Sequence, residues 1–129
     1  MRCGFLILVS FFISICAFSQ DREALVQQRI EFISEQLESE EIDLTDVIQY
    51  LYFRLDNPLN LNNADKQSLR ELNLLTDIQI NDLLLHRERF GKLISIYELQ
   101  SLKFWDLNTI FLVMPFIKVD DKFDQLHVS

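Results

Sequence analysis

The sequence predicts an all-α protein: two N-terminal amphipathic helices, followed by a helix–turn–helix unit that occurs twice. Three observations predict it. Beyond residue 20, apolar side chains recur at helical spacing through most of the chain. Asp, Ser or Thr stands before most of these stretches as a cap, and residues thirty apart match in the second half. The 129 residues are 49% hydrophobic and hold two Gly and two Pro, a poor supply of tight turns for a sandwich or barrel. With glycines only at 4 and 91, neither G-x-G-x-x-G nor G-x-x-x-x-G-K can be written, which excludes nucleotide chemistry of those kinds.

Residues 1–19 read as a secretory signal peptide. Met1-Arg2 is a positive start, Gly4 to Phe18 carries no charge, and Ala17-Phe18-Ser19 places small residues correctly for cleavage after Ser19. The run is shorter than the ~20 residues a spanning helix needs. Cys16 offers the alternative of a lipid anchor, against which the bulky Ile15 weighs. The expected location is the periplasm or cell envelope, with no membrane span in the mature chain. Removing the peptide leaves 110 residues with 11 basic and 20 acidic side chains, net -9, and no thiol. Cysteine nucleophiles and cysteine metal sites are then excluded, and packing alone must hold the domain.

Residues 20–57 are expected to be an acidic helical arm. Val26, Ile30, Ile33 and Leu37 make one apolar stripe, with Glu31, Glu35 and Glu38 between them. A second helix carries Leu44, Val47, Ile48, Leu51 and Leu55 on one face, with Asp43 or Thr45 as N-cap and Asn57-Pro58 as its end. Leu59 to Asn63 then reads as an extended linker, since three asparagines favour turns and the residue before a proline avoids the helical region. Whether the arm packs on the repeated units or reaches another molecule is open at this level.

Four shorter helices occupy residues 58–118. Asp65 opens one with Leu69 and Leu72; Thr76 to Gln79 is a capping box before Ile80, Leu83 and Leu84; Gly91 supplies the C-cap. Ser95 to Glu98 is a second capping box, leading to Leu99 and Leu102. Asp106 caps the last helix, with Ile110, Val113 and Met114, which Pro115 stops. Leu69 matches Leu99, Leu72 matches Leu102, Leu74-Leu75-Thr76 falls on Phe104-Trp105-Asp106, and Ile80 falls on Ile110. One such unit could not bury its own apolar face, so the two are expected to share a core.

From Leu59 to Ile117 the chain resembles the tandem helix-hairpin-helix domain of the exported competence DNA receptor ComEA and its relatives. The resemblance rests on Leu59 to Ala64, on His86-Arg87-Glu88-Arg89-Phe90-Gly91-Lys92-Leu93, on Ser95-Ile96-Tyr97-Glu98-Leu99, and on Pro115-Phe116-Ile117. It spans 59 of the 110 mature residues without a gap. The chain also resembles longer bacterial exported proteins in which such a domain precedes further sequence, and the charged tail, residues 119–129, leads to the expectation of more sequence beyond it.

The resemblance implies non-sequence-specific binding of double-stranded DNA through hairpins that read Gly-hydrophobic-Gly, whose backbone N–H groups approach a phosphate. Here hairpin 1 is Leu74-Leu75-Thr76, followed by Asp77, and hairpin 2 is Phe104-Trp105-Asp106. Cβ atoms stand where the glycines would be, and carboxylates offset the attraction of the helix N-termini for an anion. Residues 20–57 hold 3 basic and 10 acidic side chains, residues 58–118 hold 7 of each, and the tail holds 1 and 3. The candidate phosphate contacts in the neutral region are Arg87, Arg89, Lys92 and Lys103; the bland alternative is solvated faces with local pairs such as Lys66 with Glu71. Phe104 and Trp105 are either core plugs between the repeats or an exposed aromatic patch marking a protein contact.

No catalytic, cofactor or metal site is expected. His86 and His127 are the only histidines and are far apart, no calcium loop exists, and Asp120-Asp121 reads as a solvated pair. The expectation is therefore a non-catalytic exported module that contacts a protein partner, with double-stranded DNA as the alternative.

Overall fold

The computed structural model describes residues 21–37 and 42–120, and the expected signal peptide, its cleavage point, Cys16, Glu38, Asp121 and His127 lie outside the described residues. The described residues fall into two separate compact units, residues 21–37 and residues 42–120. In the first, residues 21–36 are helical (α1). The predicted stripe is its buried face: Val26, Ile30 and Ile33 are buried, while Glu31 and Glu35 are exposed. Arg29 joins that face, its guanidinium donating to Gln28 Oε1 at 2.8 Å, and burial holds its pKa below the ordinary arginine value.

The second unit begins with helix α2 (Leu44–Asp56), so the acidic segment divides between the two units. Asp43 is its N-cap, accepting from Thr45 N, and Asn57 is its C-cap, as the residue types require. Val47 and Leu51 face inward against the turn Met114–Phe116, and the Tyr50 hydroxyl donates to Ser68 O at 3.1 Å.

The repeat comes next as α3 (Lys66–Glu71), α4 (Asp77–Phe90), a 3₁₀ helix (Ile96–Ser101) and α5 (Leu107–Val113). Asp65 caps α3 and Thr76 caps α4 through reciprocal capping boxes, and Asp106 caps α5 by accepting from Thr109 N at 2.7 Å. The matched apolar positions are buried in both copies: Leu69 with Leu99, Leu72 with Leu102, Ile80 with Ile110. Each such side chain withdrawn from water contributes about 1.5–3 kcal/mol, which makes this shared core the main support of the unit.

Two local readings differ from what forms. The stretch after Ser95 is a 3₁₀ helix, not an α-helix. The Ser95 hydroxyl accepts from Tyr97 N at 3.1 Å rather than from Glu98 N, so no reciprocal box closes there. Leu59 to Asn63 is not a simple linker either. Leu59–Asn60 (β1) pairs in parallel with Ile117–Lys118 (β2), Leu61 N donates to Lys118 O at 2.9 Å, and residues 61–63 turn. This pair clips the two ends of the repeat together. The described chain is mostly helical, and no helix in it is long and apolar enough to cross a membrane.

Candidate functional site: the hairpins and the far end of α4

Hairpin 1 turns without glycine because Asn73 takes the left-handed conformation, φ 57°, which asparagine tolerates better than most residues. Its amide donates to Arg70 O, and its side chain donates to Glu71 O at 3.0 Å. Leu74 is buried and Leu75 half-buried, so this hairpin presents side chains inward. Thr76 is spent on capping. Asp77 does more than offset a helix N-terminus: it forms a two-bond ion pair with Arg70 at 2.9 and 3.1 Å, bridging the hairpin. That guanidinium holds the Asp77 pKa below the ordinary carboxylate value, and Asp77 raises that of Arg70. Glu71 accepts from Gln67 at 3.2 Å and not from Lys66.

Hairpin 2 lies against the start of α4. Gln79 Nε2 donates to Phe104 O at 3.2 Å and to Thr109 Oγ1 at 3.0 Å, while the Trp105 indole N–H donates to Gln79 O at 2.9 Å. The two readings of the aromatic pair are divided between its members. Trp105, 4% exposed, is a core plug between the repeats; Phe104, 49% exposed, faces solvent with Lys103 Nζ 5.4 Å from its ring centre. The Phe104 amide, one of the backbone N–H groups of this turn, donates to Asp82 Oδ2 at 2.9 Å. Asp106 is occupied by Thr109 N, which holds its pKa down. Around these turns the exposed side chains include the apolar Ile78 at 60%, Phe104 at 49% and Leu107 at 74%, with the polar Thr76, Asp77, Lys103, Asp106 and Asn108 among them.

The cations picked out from sequence do not gather here. Arg87, Arg89 and Lys92 lie at the other end of α4, which at 1.5 Å per residue is about 20 Å from the hairpins. The Arg87 guanidinium donates to Ala64 O. Arg89 and Lys92 are exposed, and Asn62, Leu84, Arg87, Glu88, Gly91 and Lys92 line a cleft of about 370 Å³. Of the four candidate phosphate contacts, only Lys103 adjoins a hairpin.

Sequence reasoning missed Asn62 and Asp82. Asn62 is buried and accepts from Leu93 N at 2.7 Å while donating to Leu93 O at 3.0 Å, fixing the loop after α4. Gly91 sits in that loop with φ 81° and ψ -160°, a positive-φ cap outside the left-handed helical region expected of it. His86 is half-buried, 3.4 Å from Glu98 and with its ring 4.9 Å from that of Phe90. The Glu98 pKa is lowered, first by the Ile94 amide and then by His86. Among the described residues no group of three His, Cys, Asp or Glu could hold a metal ion. No protein-family model, curated protein or solved structure matches the chain.

Proposed function

We propose that the chain is a non-catalytic, exported helix-hairpin-helix module that has exchanged phosphate contacts for protein contacts and acts as an interaction domain in the bacterial envelope. One observation carries this reading. At the hairpin end, the Phe104 amide is taken by the Asp82 carboxylate, and Ile78, Phe104 and Leu107 face outward among polar neighbours such as Asp77 and Asn108. A phosphate needs open amides and cations, and an exposed apolar patch rimmed by polar residues suits a protein surface. Arg70, the nearest strong cation of hairpin 1, is held by Asp77.

The competing reading, non-sequence-specific duplex binding, is favoured by the exposed Arg89 and Lys92 beside the cleft at the far end of α4. Fluorescence anisotropy of the exported protein with a labelled duplex separates the two. Micromolar binding that weakens steeply with salt would sink the interaction-only reading; no binding at about 50 mM salt would sink the DNA reading.

A further inference from the structure

The loop that joins α4 to the 3₁₀ helix is the most outwardly apolar segment of the second unit. Phe90 is 75% exposed, Ile94 90% and Tyr97 75%, all within eight residues. This exposure is built in. Leu93, 1% exposed, is clamped through both backbone groups by the Asn62 side chain, so its neighbour Ile94 is forced outward, and Glu98 holds the Ile94 amide at 2.7 Å. A Cβ placed on Gly91 would meet nothing within 4 Å, so the chain faces open space at that residue. Holding large apolar side chains in water in a fixed conformation is unfavourable unless something covers them.

We propose that this loop is a membrane-surface contact, with Phe90, Ile94 and Tyr97 entering the interface of an anionic bilayer and Arg89 and Lys92 at the level of its headgroup phosphates. Charge selects the occupant. The chain carries net -8, yet residues 86–98 hold three basic side chains against two acidic, a local excess of +1 among the exposed apolar groups. Shape agrees with charge, because separate projecting side chains can each enter a fluid interface, whereas a rigid partner would need a matching socket for each. Tyrosine suits the boundary, with an apolar ring and a polar tip, and arginine and lysine keep their charge in the headgroups while burying their stems. The contact lies at the opposite end of α4 from the hairpins and does not depend on the hairpin reading.

The test uses the full chain and a readout confined to the loop, since the N-terminal apolar run could itself draw the chain to lipid. Trp105 is the only tryptophan and is 4% exposed, so Ile94→Trp adds one lipid-accessible fluorophore. Vesicles of phosphatidylglycerol with brominated acyl chains are expected to quench most of the added emission; brominated phosphatidylcholine vesicles are expected to leave it. In the same background Arg89→Ala is expected to lower loop-dependent partition about fivefold. An unquenched Trp at position 94 on anionic vesicles, even with the protein bound, overturns the proposal and points to a protein partner. Equal quenching by both lipids overturns it too, because the stated charge selection would be absent.

Discussion

Replacing Asn62 with alanine should be among the most damaging single changes in the second unit, although the residue is polar and lies outside every helix. Its carboxamide accepts from Leu93 N at 2.7 Å and donates to Leu93 O at 3.0 Å, across 31 residues of sequence. Alanine removes both bonds at a site where Asn62 is 8% and Leu93 1% exposed, so water cannot readily replace them. Two net hydrogen bonds contribute about 1 kcal/mol each, and a stranded buried amide adds about 1–3 kcal/mol, for a loss of roughly 3–5 kcal/mol. In a unit of this size that lowers Tm by roughly 12–40 °C. Asn63→Ala is the control, since the Asn63 side chain is exposed and its backbone bond survives; it should stay within about 0.5 kcal/mol. Urea denaturation followed by Trp105 fluorescence and far-UV circular dichroism measures both, and hydrogen exchange at the Leu93 amide should accelerate only in Asn62→Ala. Equal stability of the two variants would refute the clamp.

Three other outcomes can be measured. Thr76→Ala removes the α4 N-cap, whose Oγ1 accepts from Gln79 N at 3.3 Å, and should cost about 1 kcal/mol in the same denaturation assay, with Thr76→Ser recovering most of it. Asp82→Ala frees the Phe104 amide and removes one carboxylate from hairpin 2, so duplex binding at low salt should rise a few-fold over the unmodified protein; an unchanged anisotropy titration would show that the Cβ atoms, not this carboxylate, exclude phosphate. The folded-state pKa values of Asp65, Asp77, Glu98 and Asp106 are all lowered, chiefly by backbone amides and, for Asp77, by Arg70. Their stabilisation is therefore fully present above the unfolded value of about 4 and is lost as pH falls through the lower folded values. Thermal melts should show Tm falling as pH drops below about 4, and the Arg70→Ala variant should show a weaker fall.

The helices were legible in the sequence because their signals are short-ranged. Asp65, Thr76 and Asp106 each bond a backbone amide three residues on, and the stripes of α1 and α2 follow from helical spacing alone. The thirty-residue repeat likewise foretold that Leu69 and Leu99, or Ile80 and Ile110, would be buried together. Legibility faded where the local pattern admitted two outcomes. Phe104 and Trp105 are both large aromatics at a turn, yet only the indole has an N–H that reaches Gln79 O, and it is the tryptophan that enters the core. The cations of α4 were grouped with the hairpins by composition, whereas the length of the helix holds them about 20 Å away.

By itself, then, the sequence determined which stretches are helical, where most of them start and stop, and which faces are apolar, since all of these arise within one or two turns of chain. Tertiary structure alone decided the contacts that shape the candidate surfaces. The Phe104 amide meets Asp82 across 22 residues, Asn62 holds Leu93 across 31, and β1 finds β2 at the far end of the unit. Such pairings depend on how the two repeats pack, and packing is set by the summed fit of the whole core, which no local spacing encodes.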